Sequence, residues 1–184
     1  NMSVAEKGFT DNFDGVRILT IGRLAYQKGY DIIIERMSEV KSNLNFNLLI
    51  LGSGELENDL KQLVISKGLS DYVRFIGYRK NVSSYIRYAD ALLLSSRYEG
   101  FPNIVLEANS LGKPVFSNSC KGGINEIIIN GSNGLACDFT NKEDFQNGLH
   151  EFLGTKFDES KIVELTSSRY SIETIIKKYI NFFS

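Results

Sequence analysis

Histidine occurs once, at His150, and tryptophan not at all. A catalytic histidine triad and a multi-histidine metal site are thereby excluded. Cysteine is nearly as scarce. Cys120 and Cys137 have neither CxxC nor zinc-ligand spacing, and they read as reduced thiols in or near the core of a cytosolic protein. No stretch approaches ~18 consecutive apolar residues, and no secretory leader is visible. An excess of either charge is also missing: a net charge of −1 gives no long-range pull on nucleic acid or acidic lipid.

What is present is ordinary for a globular chain. The 184 residues are 42% hydrophobic and 23% charged, enough for one well-cored domain. Residues Asn1 to Gly15 lack periodicity and read as a lead-in. Short apolar runs follow as strands at Val16 to Ile21, Phe46 to Leu51, Tyr72 to Ile76, Ala91 to Leu94, Val115 to Ser117 and Leu135 to Cys137. Helical spacing fills the intervals, at Tyr30 to Val40, Glu55 to Lys67, Val82 to Tyr88, after Pro102, and around Ile124 to Ile129. Asn141 is placed to cap a helix through Phe152, and Ser171 to cap a final one, Ile172 to Phe183. Continuous apolar strands alternating with helices predict a doubly wound, Rossmann-like parallel α/β sheet of about six strands, covered on both faces.

The segment Ser95 to Glu107 holds the sharpest chemical signal. Pro102 suits the first helical position, so Glu99 falls in a loop at a strand's carboxyl end. Glu107 then falls about one and a half turns into the next helix. Gly100 allows close backbone approach, and the helix's free N–H groups face the same space. A solvated loop acid and a surface helix residue would explain Glu99 and Glu107 equally simply. The strand–Gly–Pro–helix setting is what favours a site, because open α/β sheets bind ligands at strand carboxyl ends.

Two further strand ends reach the same crevice. Gly22-Arg23-Leu24, followed by Lys28-Gly29, offers two cations to a diphosphate, Arg through a fork and Lys as a point charge. Taken singly, each is equally a solvated charge. Gly52-Ser53-Gly54 lacks the third glycine of a dinucleotide fingerprint and reads equally as a plain turn.

Together these segments, with Gly112-Lys113-Pro114-Val115 and Gly122-Gly123-x2-Glu126, resemble the retaining nucleotide-sugar glycosyltransferases of family four (group 1), from about Val16 onward. The resemblance implies the C-terminal, donor-binding half of a two-domain GT-B enzyme. Its substrate would be a UDP- or GDP-sugar and its acceptor a glycan or lipid-linked sugar, in bacterial surface polysaccharide synthesis. It implies that Arg23 and Lys28 hold the diphosphate, with Gly22 and Gly52 close to the donor. Glu107 would accept from the ribose hydroxyls. Glu99, with the N–H groups of Gly100 and Phe101 and the turn through Pro102, Asn103 and Ile104, would face the transferred sugar. Arg74, Phe75 and Ile76, with the turn after them, would receive the base, largely through main chain. Glu99, Arg23 and Lys28 form the expected catalytic set, without a metal or other cofactor, since no Asp-x-Asp pair is present.

The resemblance also implies a missing N-terminal domain that carries the acceptor site, and little activity from the isolated half. Its location would be the cytoplasm, or the inner face of the membrane through that other half. The stripe Ile172, Ile175, Ile176, Tyr179, Ile180 and Phe183 then has two readings: it packs on this domain's own sheet, or it crosses to the missing domain. Asn109-Ser110 departs from the Ala/Met-type residues usual after the second glutamate, which bears on packing. A non-catalytic nucleotide-binding module and a nucleotide-sugar epimerase fragment are the alternatives, the latter needing a histidine near the motif.

Overall fold

A computed structural model describes residues 15–41 and 45–183. Most of the expected lead-in, residues 1–14, lies outside them. Six parallel strands form one sheet in the order β3-β2-β1-β4-β5-β6. They are β1 (Val16–Ile21), β2 (Phe46–Leu51), β3 (Val73–Gly77), β4 (Ala91–Leu94), β5 (Val115–Asn118) and β6 (Gly134–Cys137). Every residue of β2, β4 and β5 is buried, as a sheet covered on both faces requires.

One face is covered by α1 (Tyr30–Glu39), α2 (Glu57–Ser66) and α6 (Lys142–Gly154). Here Ile33, Ile34 and Met37 of α1 meet Ile18, Leu48 and Ile50, while Phe145 and Phe152 of α6 close around Phe116. The other face carries α3 (Val82–Tyr88), α4 (Asn103–Ser110) and α5 (Ile124–Ile127), which bury Ile86, Val105 and Ile124 against Leu19, Leu92 and Val115. Among the described residues no helix is long and apolar enough to cross a membrane.

Several boundaries differ from the sequence expectation. Helix α2 begins at Glu57 rather than Glu55, because Leu24 N–H donates to the Ser53 carbonyl and Leu56 N–H to the Leu24 carbonyl, tying the segment to the loop after β1. Pro102 stands one position before α4 instead of inside it: its ψ of 84° is not helical, although its carbonyl accepts from Val105 N–H. A helix absent from the sequence reading, α7 (Glu159–Tyr170), is capped by Asp158 and packs on α4. It buries only Ile162 and Thr166, too narrow an apolar face to announce itself.

The caps at Asn141 and Ser171 form as expected, with Asn141 Oδ1 accepting from the Glu143 and Asp144 amides and Ser171 Oγ from Thr174. The last helix, α8 (Ile172–Phe183), packs on α7 and leaves its stripe exposed among the described residues: Ile172 is 74% exposed, Tyr179 65%, and Ile175, Ile176 and Ile180 are exposed as well. The side chain of Phe183 lies outside the described residues.

Asn109 is fully buried on α4 and fully used. Its amide nitrogen donates to the Lys113 and Asn133 carbonyls, and its oxygen accepts from Asn133 Nδ2. The departure from an apolar residue at this position is thus matched by a buried partner. Both thiols are free, and burial raises both; Cys137, with Asp144 and Asp138 nearby, is pushed up to about 12.

Candidate functional site

Strands β1 and β4 lie side by side, but the chain leaves them toward opposite faces, to α1 and to α4. That divergence opens a crevice above their carboxyl ends, the switch point where doubly wound sheets take ligands. Residues 22–29 and 95–102 form its walls.

The two walls are laced together. Arg97 N–H donates to the Gln27 carbonyl, Gln27 Nε2 to the Tyr98 carbonyl, Ser95 Oγ to the Lys28 carbonyl, and Arg97 Nη1 to the Tyr26 carbonyl. Gly29, at φ 62°, lets them touch: a Cβ there would stand 2.2 Å from the Ser95 carbonyl oxygen. Arg97 also forks onto Asp31 and lies 4.0 Å over the Tyr26 ring. The hydrogen bond to Asp31 raises the Arg97 guanidinium, and the hydrogen bond to Arg97 lowers the Asp31 carboxyl below its usual range.

This lacing delivers Lys28 Nζ to 2.6 Å from Glu99 Oε1. Their side chains are only 21% and 9% exposed, so the pair is largely withdrawn from water. Ser96 Oγ donates to the same oxygen at 2.6 Å. Tyr30 lies beneath, its hydroxyl near Gly22, and burial raises its pKa so that it stays protonated. From the far side the segment after β5 closes on Glu99: Glu99 N–H donates to the Lys121 carbonyl and Gly123 N–H to that of Gly100. Gly122 is required there, since at φ 123° a Cβ would sit 1.6 Å from the Glu99 carbonyl oxygen.

The amides of Gly100 and Phe101 have no hydrogen-bond partner among the described residues and stand at the amino end of α4. Pro102 is buried, Asn103 is exposed, and Ile104 packs partly into the adjacent core. Glu107 is exposed on α4 and accepts from Ser83 Oγ of α3 at 3.1 Å. Gly22, Arg23 and Gly52 line a cleft of about 300 Å³ on the β3 side, with Tyr78, Arg79 and Val82. Arg23 is exposed and pairs with Glu55 at 3.1 Å.

The structure does not bring Arg74 to this cleft. It stands opposite Leu49, well below the carboxyl edge, while Phe75 and Ile76 turn into the two cores. The cleft is closed on that side by Tyr78 and Arg79 of the following turn, which the sequence reading included as a turn without naming its residues. Their only sequence signal is position, directly after the strand-ending Gly77. Ser83, Ser96 and Arg97 were missed for a similar reason: none carries a motif of its own. His150 is exposed on α6, whose residues do not line the cleft. Among the described residues no group of three or more His, Cys, Asp or Glu side chains is placed to hold a metal ion.

Comparison with known proteins gives the family and the fold. Residues 8–165 match the family described as glycosyl transferases group 1. An uncharacterized glycosyltransferase of Haemophilus influenzae is 32% identical over 166 residues, which cover 88% of this chain and 47% of that protein. Two solved structures share the fold. The lipopolysaccharide outer core galactosyltransferase WaaB gives a TM-score of 0.83 at 24% identity, over 94% of this chain and 50% of that one. Anabaena HepE in complex with UDP-glucose gives 0.75 at 21% identity, over 92% and 49%. The chain spans about half the length of these proteins.

Proposed function

Since the chain belongs to the glycosyl transferases group 1 family, we propose that it is the donor-binding half of a retaining, metal-independent glycosyltransferase. The donor is a nucleoside-diphosphate sugar, and the acceptor is a glycan or lipid-linked sugar of a surface polysaccharide. The observation that carries the reading is the Lys28–Glu99 pair, held across the switch point at 2.6 Å. It joins a cation fit for a leaving diphosphate to a carboxylate fit for the sugar it leaves.

The chemistry follows from charge. Breaking a sugar–phosphate bond builds negative charge on the diphosphate and positive charge on the sugar ring. Arg23, Lys28 and the free amides before α4 offer preorganised stabilisation of the first, and Glu99 of the second. Both cations already have carboxylate partners, Arg23 with Glu55 and Lys28 with Glu99. An incoming diphosphate therefore exchanges with, or adds to, carboxylate partners already in place. Glu107 accepts from the ribose hydroxyls, and the 300 Å³ cleft beside Tyr78 receives the nucleoside. Two cations and a helix end supply the countercharge that a divalent ion would otherwise bring. Retention follows from attack on the face the diphosphate leaves, with that phosphate taking the acceptor's proton.

The relatives support the wider assignment. HepE was solved with UDP-glucose, and WaaB acts on the lipopolysaccharide outer core. Because those chains are twice as long, the acceptor site is assigned to a second half, and the uncovered stripe of α8 is the surface proposed to meet it. A contact of that kind removes from water an apolar patch that seldom stays bare.

Titration calorimetry of this chain with UDP, GDP and ADP, each with and without EDTA, tests the reading. One of the three should bind, and EDTA should not change its affinity. Failure of all three, or loss of binding on chelation, overturns it.

A further inference from the structure

Glu99 is held unsymmetrically. Lys28 Nζ and Ser96 Oγ both stand 2.6 Å from Oε1, while Oε2 has no partner among the described residues. The two donors differ in what holds them. Lys28 ends a flexible four-carbon stem, and on the function proposed above it is also required by the diphosphate. Ser96 is 1% exposed, and its carbonyl accepts from Asn118 Nδ2 at 2.9 Å. Asn118 is itself buried at the end of β5, and its oxygen accepts from Phe139 N–H at 2.9 Å. The backbone that carries the Ser96 hydroxyl is therefore anchored by a buried chain of hydrogen bonds, Phe139 to Asn118 to Ser96.

We infer that Ser96 is the positioning residue of the site: it holds Oε1 when Lys28 turns to the diphosphate, and so keeps Oε2 as the oxygen offered to the transferred sugar. A carboxylate with one oxygen fixed presents the other along one direction, which is what preorganised stabilisation of a developing charge needs. Without the hydroxyl, departure of Lys28 leaves both oxygens free to rotate together about the side-chain torsions. The inference rests on the function proposed above for its consequence, although not for its geometry.

The test separates the two. In the ligand-free chain, three-bond NMR couplings to Glu99 Cγ report whether the side chain occupies one rotamer. Lys28→Ala should leave Glu99 in a single rotamer, and Lys28→Ala with Ser96→Ala should let it average. Averaging in Lys28→Ala alone, or a fixed rotamer in the double variant, overturns the inference without reference to any ligand. The second arm uses UDP and UDP-glucose. Ser96→Ala should leave UDP affinity unchanged and cut the preference for UDP-glucose over UDP about three- to tenfold, the range of one hydrogen bond. Ser96→Thr, which keeps the hydroxyl, should restore it. An equal loss for both ligands shows a merely structural role and overturns the inference. Absence of binding by the unaltered chain counts against the proposed function, and the rotamer arm then decides the inference alone.

Discussion

Arg97 and Asp31 form a two-pronged ion pair between the loop after β4 and the first turn of α1, with Nη1 2.8 Å from Oδ1 and Nη2 reaching Oδ2. The pair fastens the wall that carries Glu99 to the helix that follows the wall carrying Lys28. Its pH dependence has a definite sign. Asp31 is held below its ordinary value chiefly by the hydrogen bond to Arg97, so its contribution is complete above the unfolded carboxyl pKa of ~3.9 and fades as pH falls through the lower folded value. Thermal midpoints of the parent and Asp31→Asn chains should therefore differ at pH 6 and converge as the pH drops below about 4. A constant difference down to low pH would count against the pair.

Glu107 and Glu99 are assigned different partners, so their variants should part company. Glu107→Ala should weaken nucleoside-diphosphate binding by ~1.5–3 kcal/mol, the usual worth of a hydrogen bond to a charged group. Glu99→Ala should leave that affinity nearly intact and lower turnover once this chain is joined to its other half. Calorimetry on both variants and turnover in the complete enzyme check the division. Matching losses of nucleotide affinity would refute it.

The buried Asn109–Asn133 couple makes a stability prediction. Asn109→Ala leaves Asn133 Nδ2 without one acceptor and the Lys113 carbonyl without its side-chain donor, at a cost of about 1–3 kcal/mol. Asn109→Ala with Asn133→Ala should cost less than the sum of the singles, since neither is then left facing an absent partner. Urea unfolding of the four chains gives the coupling. Strict additivity would dissolve the couple.

Helix α8 offers the clearest contrast between stability and assembly. Ile176→Glu with Tyr179→Glu replaces two side chains that are 51% and 65% exposed. The unfolding free energy of this chain should change by less than about 0.5 kcal/mol, as for other surface substitutions. Co-purification with a separately expressed N-terminal half should be lost. Unfolding of the charged variant would instead make the stripe part of this domain's own core.

The sheet was legible because its strands are unbroken apolar runs, and Ala91 to Leu94 needs no context to be read as buried. Glu99 and Glu107 were legible because Gly100 and Pro102 punctuate the chain between them. Ser96 and Asn118 were not. Their roles arise from strand neighbours brought together only by the β4–β5–β6 register, which no local pattern encodes. Asn109 looked anomalous for the same reason, because its partner lies 24 residues away. In α8 the apolar spacing is real, but spacing alone says that a face is apolar and not what covers it.

The turn after β3 is held differently from the walls of the crevice. Arg79 bonds to the Tyr78 carbonyl and to Tyr85, both local, and none of these three reaches the lacing that fixes Lys28 and Glu99. On the function proposed above, substitutions at Tyr78 and Arg79 in that turn, and at Val82 where α3 begins, would reshape the nucleoside cleft while the Lys28–Glu99 pair keeps its geometry. The fold separates what an enzyme of this kind must preserve from what it can afford to vary. On that reading, a lineage could exchange one donor for another by drifting along that single turn, with the Lys28–Glu99 edge inherited unchanged.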